Sequence, residues 1–318
     1  MSLLARFLAS PPPSVALEVA PGRVTGLRLA GGARPAIAAH ATRGLPPVTV
    51  VPSLLTPNIL DQATVAAAIR EVLRQVGGGR RVALVLPDDA ARVSIVRFES
   101  VPARHADLEA MLRWQVRKSV PFRMEDAQVT WAEGMRLEDG HREFVVVTAR
   151  REVVAQYEQV CEEAGAHAGL VDLATFNLIN LVLAGSADRT GDWLLVHVAP
   201  TSTSLAIVRA GMLAFYRHRS LDDEQDSLSD LVHQTAMYYE DRLAGRGFGR
   251  VLLAGAGGSE VSGTAATLRR QLQERLRTPV EPVDPLAAVS LDDRRDPGPE
   301  LRDRLAPLVG ILTRERPA

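Results

Sequence analysis

Residues 192–219, DWLLVHVAPTSTSLAIVRAGMLAFYRHR, decide the fold. Their alternating apolar residues predict three short strands, with tight turns at Pro200 and at Gly211. The same plan opens the chain: SVALEVA (14–20) and GRVTGLRLA (22–30) flank a turn at Pro21 and Gly22, and PAIAAHATR (35–43) continues as a third strand. Each triplet leads to a helix. In the first half Val65, Ile69, Val72, Leu73 and Val76 recur at helical spacing until Gly77, Gly78 and Gly79 stop the run. In the second, Leu231, Val232, Thr235, Tyr239 and Leu243 mark the inner face of a helix over 228–243. EVAPGRV (18–24) and HVAPTST (197–203) occupy equivalent first turns, so the chain reads as an internal duplication with two lobes.

Between the two halves lies a block of different character. RRVALVLP (80–87), ARVSIVRF (91–98), AQVTWAEG (127–134) and REFVVVTA (142–149) read as strands around a helix with Leu108, Met111, Leu112 and Val116 on one face. The block is expected to be an inserted α+β subdomain over 80–150. A proline-rich connector covers 44–60, and a helix covers 151–165. LVDLATFNLINLVLAG (170–185) carries Asp172, Asn177 and Asn180 and is too short to span a bilayer, so it is expected to be a core helix. After the second triplet come the strand RVLLAG, a glycine-rich turn, a helix through LRRQLQERL and a helix near 300–313. The expected organisation is a leader (1–13), a first lobe (14–79 and 151–185), the insert (80–150) and a second lobe (186–318).

A length of 318 residues with 46% hydrophobic content is ample for two lobes. With 37 basic against 38 acidic residues, no global field favours nucleic acid or an anionic membrane. Cys161 is alone, which fits a reducing, cytoplasmic setting, and it lies in a helical pattern as a small buried hydrophobe. The segment MSLLARFLAS lacks the basic front and long apolar run of a signal peptide. Its Leu3, Leu4, Phe7 and Leu8 leave two readings, an amphipathic contact or a frayed leader.

VALEVAPGRVTGLRL, ALVLPDDAARVSIVRFESVP, LRWQVRKSVPF, CEEAGAHAGLVDLATFNLINLVL, HVAPTSTSLAIVRAGMLAFYR and LLAGAGG occur in the order and spacing of the PilM family of type IV pilus assembly proteins. The resemblance runs from about Ser14 to Leu312, and WQVRKSVPF is its most specific part. It implies an α/β, two-lobed actin-like fold, a duplicated ribonuclease H-like unit related to FtsA, with a small inserted subdomain. It also implies a partner, the short cytoplasmic tail of the inner-membrane protein PilN, held in a channel between the insert and the first lobe. Association with the cytoplasmic face of the inner membrane through that partner, and contacts with other pilus assembly components, follow from the same analogy; a homo-oligomer stays open.

In that plan two turns grip nucleotide phosphates through backbone N–H groups, acidic residues manage magnesium, and a late glycine-rich turn receives adenosine. The equivalent positions here are Glu18 and Gly22, then Thr201, Ser202 and Thr203, then Gly255, Gly257 and Gly258. The first turn lacks the family's lysine and contains Pro21; in the second, His197 stands where the family has a carboxylate, and Pro200 enters. Proline has no N–H to donate, and imidazole serves magnesium poorly. Two lost charge-assisted hydrogen bonds and a weaker cation site lower nucleotide affinity on the order of a thousandfold. The expectation is a degenerate site, with no cofactor required, ATP and magnesium at most weakly held, and no hydrolysis. A slow ATPase and the cytoplasmic part of a type II secretion L-type protein are the rival readings.

The seven histidines show no metal-ligand spacing. His197 reads as a polar strand end and Asp88 and Asp89 as a solvated turn. Trp114, Val116, Pro121 and Phe122 are candidate partner-binding residues beside Arg113, Arg117 and Lys118. Trp114 reads equally as a groove anchor or as interdomain packing.

Overall fold

The structure, a computed structural model, describes residues 13–32, 34–185, 191–220, 227–256, 265–291 and 298–314. Strands β1 (Val15–Ala20), β2 (Arg23–Ala30) and β3 (Ala36–Gly44) form an antiparallel meander. Helix α1 (Gln62–Val76) follows, its first turn capped by the Asp61 carboxylate on the Thr64 N–H at 3.0 Å. Gly77, at φ +72°, closes it through a bond from its N–H to the Leu73 carbonyl, so the glycine run ends the helix as its composition predicts.

Strand β4 (Arg81–Leu86) pairs parallel with β1 and, on its other side, with β8 (His167–Leu173). Two boundaries therefore differ from the sequence reading. Residues 81–86 belong to the first lobe's sheet, with the 3-10 turn Asp88–Ala90 after them, and the insert is confined to β5 (Ala91–Phe98), α2 (His105–Val116), β6 (Ala127–Arg136) and β7 (Arg142–Arg150). Residues 170–185 are not one helix: β8 runs on to Leu173, α4 (Ala174–Gly185) follows, and α3 (Arg151–Glu163) precedes both. Continuous apolar runs do not distinguish a strand buried on both faces from a helix.

The second sheet holds β9 (Trp193–Val198), β10 (Ser202–Arg209), β11 (Met212–Ser220), β12 (Arg250–Ala254) and β13 (Val280–Pro282), in the order β11-β10-β9-β12-β13. Helices α5 (Leu228–Leu243) and α6 (Ala265–Leu276) cover its outer face. The last elements return to the first lobe. Strand β14 (Ser290–Leu291) pairs with β3, and α7 (Gly298–Thr313) packs beside α4, so the expected second lobe of 186–318 gives up its end to the first.

Alternation along the strands sorts side chains into layers. Leu17, Val19, Val82 and Leu84 face α1 and α3, where Tyr157 and Cys161 are fully buried. Burial pushes the Cys161 thiol up to about 12, as for a small hydrophobe and not a nucleophile. Ala16, Ala83 and Val85 from one sheet and Trp193, Leu195 and Ala206 from the other face α4 and α7 between them. The order is thus helices, sheet, the α4–α7 pair, sheet, helices, and the cleft opens at the carboxyl ends of β1, β4 and β9. Leader residues 1–12 lie outside the described residues. Among the described residues no helix is long and apolar enough to cross a membrane.

Candidate functional site

Both predicted phosphate turns reach the cleft. The first places Gly22 at φ +76° between β1 and β2, and Arg23 reaches back to the Glu18 carboxylate at 3.3 Å. The second places Pro200 and Thr201 opposite Pro21. Between them lies a cavity of about 40 Å³, lined by Glu18, Pro21, Asp88, His197, Pro200 and Gly255 among others. Pockets that take drug-sized ligands hold roughly 300–1,000 Å³.

The groups predicted to meet phosphate are otherwise engaged. The Ser202 hydroxyl donates to the Asp89 carboxylate at 2.7 Å, and the Thr201 hydroxyl reaches the same oxygen at 3.5 Å. Thr203 is buried one residue out of phase with Ser202 and Ser204, so the strand places it on the opposite face of β10, away from the cleft. The Gly255 N–H donates to the Asp303 carboxylate at 2.7 Å. Gly255 has φ +80°, and a Cβ there would lie 2.1 Å from the Val198 carbonyl oxygen, so the approach of β9 to β12 suffices to require glycine. Gly257 and Gly258 lie outside the described residues.

At the centre sits a group the sequence reading set aside. Asp88 is not a solvated turn residue: it is 3% exposed, in a 3-10 turn at the carboxyl end of β4. Its carboxylate accepts from the Thr175 backbone N–H at 3.1 Å, the Thr175 hydroxyl, the Ser204 hydroxyl at 2.8 Å, and His197 Nδ1 at 3.2 Å. His197 is accordingly part of a cluster and not merely a polar strand end. Burial alone would raise the Asp88 carboxyl, but the hydrogen bond and charge of His197, the charge of His218 and the Thr175 hydroxyl outweigh it and hold the group at about 2. Asp89 faces His218 Nε2 at 3.4 Å, and His218 Nδ1 lies 2.9 Å from the Ser204 oxygen. Ser204, His218 and Asp89 are a hydroxyl–imidazole–carboxylate series, yet Ser204 is buried with its proton committed to Asp88, which leaves no nucleophile. Among the described residues no cluster of metal-ligating side chains could hold an ion.

The predicted partner residues separate. Val116 is buried in the insert's core with Leu112, Phe144 and Val146 and presents no contact, and Phe122, half-buried, packs partly against the same core. Helical phase decides this: Leu112 and Val116 are four apart and share one face. Pro121 is exposed, and Trp114 is 60% exposed with the Arg117 guanidinium 4.2 Å from its ring centroid, which rules out interdomain packing.

A different apolar surface lies on the proline-rich connector. Val48, Val51, Leu55 and Leu60 are all exposed, and Val48 holds φ +56°, a region β-branched residues rarely enter. Asn58, fully buried, pins this loop: its N–H donates to Gln156, its side-chain amide donates to the Tyr157 hydroxyl at 3.2 Å, and its side-chain oxygen accepts from the Ser53 N–H at 2.9 Å. Arg150, at the base of the insert, donates to the Leu55 carbonyl. Asn58→Ala is expected to cost about 1–3 kcal/mol in urea unfolding, because it strips partners from a buried hydroxyl and a backbone N–H. Four apolar residues in a segment read as a connector were the available signal.

Two facing lobes, each a strand meander feeding a helix, with the cleft between their first turns, define an actin-like protein. The structure is similar to the "PilM-PilN type IV pilus biogenesis complex", with TM-score 0.79 and 19% identity over 96% of this chain and 98% of that one. It is also similar to a Bacteroides thetaiotaomicron protein of actin-like ATPase fold and unknown function (TM-score 0.47, 11% identity, 87% and 91% covered). A third similarity is to the cytoplasmic domain of EpsL, an inner membrane component of the Vibrio cholerae type II secretion system (0.47, 11%, 75% and 80%). No curated protein matches the chain. The family described as type IV pilus assembly protein PilM matches residues 48–225, and the chain belongs to it.

Proposed function

We propose that this protein is a nucleotide-independent scaffold of a type IV pilus assembly complex, which holds the cytoplasmic tail of a PilN-like membrane protein and through it sits at the inner membrane. The observation that carries the reading is a division of labour. The cleft between the phosphate turns is closed by the chain's own side chains, while an anchored loop beside the insert presents apolar residues outward.

A triphosphate and its cation do not fit the residues present. Pro21 and Pro200 have no N–H to offer, Ser202 and the Gly255 N–H already serve carboxylates, and Glu18 and Asp88 would repel phosphate from the walls of a cavity of about 40 Å³. The rival reading as an ATPase would require all of these to rearrange.

Val51 and Leu55 are the residues assigned to the partner, with Ile95 and Val145, a paired and half-buried position on the insert's sheet that shares a face with Val93 and Val147, which pack against the first lobe's core. An extended apolar tail laid there gains roughly 1.5–3 kcal/mol for each large side chain fully buried. Titrating the full chain with a synthetic tail peptide from the PilN-like protein of the same organism is expected to give saturable binding. Leu55→Asp is expected to weaken it at least about tenfold while shifting stability by less than about 0.5 kcal/mol, as for an exposed site. Calorimetry with Mg-ATP is expected to give no saturable heat. Absence of peptide binding, or tight magnesium-dependent ATP binding, overturns the reading.

A further inference from the structure

The cluster around Asp88 joins the two lobes, and its proton count is fixed by geometry. Asp88, Asp89 and Thr175 belong to the first lobe; His197, Ser202, Ser204 and His218 belong to the second. Ser204 has one hydroxyl proton, and its oxygen lies 2.8 Å from the Asp88 carboxylate and 2.9 Å from His218 Nδ1. With that proton on Asp88, His218 Nδ1 must donate to the Ser204 oxygen. His218 Nε2 must also donate, because it faces the Asp89 carboxylate, an acceptor only. Every contact is satisfied at once only when His218 carries both protons. The cation then balances one of two adjacent, largely buried carboxylates.

We propose that the Asp88–Asp89 turn and His218 form a clasp that closes the lobes on each other in place of a nucleotide, and that the second proton on His218 keeps it shut. Loss of that proton takes one donor from Asp89 or from Ser204, leaving Ser202 and Thr201 on Asp89 and Tyr216 on Ser204, and leaves two first-lobe carboxylates at the junction without the His218 charge from the second lobe, an arrangement that burial makes costly. The lobes then part at the mouth of the cleft, where the turns meet. The inference stands on the cleft geometry and is independent of the partner reading.

The charged and titratable groups facing His218 are Asp88 and Asp89 from the 3-10 turn and Arg92 from β5, with Tyr216 on its own strand and His197 beyond Ser204. Burial and Arg92 oppose its charge, but the Asp89 hydrogen bond and the two carboxylates prevail and raise its pKa above 6.5. A raised imidazole contributes stability that is complete below its open-state value and is lost as pH rises through the closed-state value. The clasp therefore loosens as pH rises above the ordinary imidazole range.

Spin labels on the full chain at Gln75→Cys in α1 and Glu274→Cys in α6, both exposed, report the separation of the lobes; Cys161 is buried and takes no label. From about pH 6 to about pH 9, one short distance is expected to give way to a longer population. The open-to-closed ratio should rise about tenfold for each unit separating the closed-state and open-state pKa values. His218→Gln, which has no charge to lose, is expected to show the longer population throughout. Should that variant not fold, Asp89→Asn removes the need for the second proton and is expected to flatten the pH response. A wild-type distance that stays constant across the range, or an Asp89→Asn variant that keeps the full response, overturns the clasp. Closure by added Mg-ATP at the alkaline end would overturn the nucleotide-independent reading instead.

Discussion

Replacing Asp88 with alanine is expected to destabilise the protein by about 3–5 kcal/mol, the usual consequence of removing one partner from a buried charged cluster, read as a lower urea midpoint at unchanged slope. The substitution takes the Asp88 acceptor from the Thr175 N–H and hydroxyl, the Ser204 hydroxyl and His197 Nδ1, of which His197 Nδ1 keeps the Thr175 hydroxyl at 2.9 Å. Each unpaired buried group costs about 1–3 kcal/mol, so the total is limited by how far the cluster rearranges, not by how many bonds are lost. The carboxylate also carries an acid limit. Its pKa is depressed from 3.8 to about 2, so its contribution is present above the unfolded value and disappears as pH falls from about 4 toward 2. Asp88→Asn, which keeps shape and some acceptor capacity, is expected to cost less and to remove that acid sensitivity.

Gly310→Ala is the second large effect, and its sign runs against local preference. In an unpacked helix alanine gains about 1 kcal/mol over glycine. Here α7 crosses α4 so closely that a Cβ on residue 310 would lie 1.8 Å from the Asn177 carbonyl oxygen and 2.6 Å from its carbon. Both are backbone atoms, so no side chain can swing aside and one helix must shift. Overpacking typically costs about 1–3 kcal/mol, and more where backbone is the obstacle; a loss of at least about 3 kcal/mol, or failure to fold, is expected. Because α4 and α7 form the layer between the sheets, the damage is predicted to reach both lobes in one cooperative transition. Gly44→Ala, where a Cβ meets nothing within 4 Å, serves as the control and is expected to change stability by less than about 0.5 kcal/mol.

Both sites bear on what was legible beforehand. The strands were, because alternation in SVALEVA, GRVTGLRLA and TSTSLAIVR is a local signal that survives whatever surrounds it. So were the residues at the turns, since Pro21, Pro200 and His197 alter donor chemistry wherever the chain carries them. The role of Asp88 was not. A pair of acids after a strand is ordinarily a solvated turn, and burial depends on β10, β11 and α4, contributed from residues distant in sequence. The available signal was its place just after the carboxyl end of a predicted strand, the end at which ligand clefts of α/β sheets form. Trp114 and Val116 show the same division on one helix: two residues apart, they fall on opposite faces, and the hydrophobic pattern indicated which was core more safely than it indicated a contact.

The sequence by itself determined the duplicated strand–helix plan, the stop of α1 at Gly77, the absence of a backbone N–H at two turn prolines, and the family. These rest on backbone chemistry within a few residues. Only the tertiary structure decided that β4 completes the first sheet, that α7 returns to lie against α4, and that Asp88, Asp89, Thr175, His197, Ser204 and His218 meet in one buried cluster. Those outcomes depend on which apolar faces find each other, and a carboxylate's meaning changes once the packing around it has removed the water.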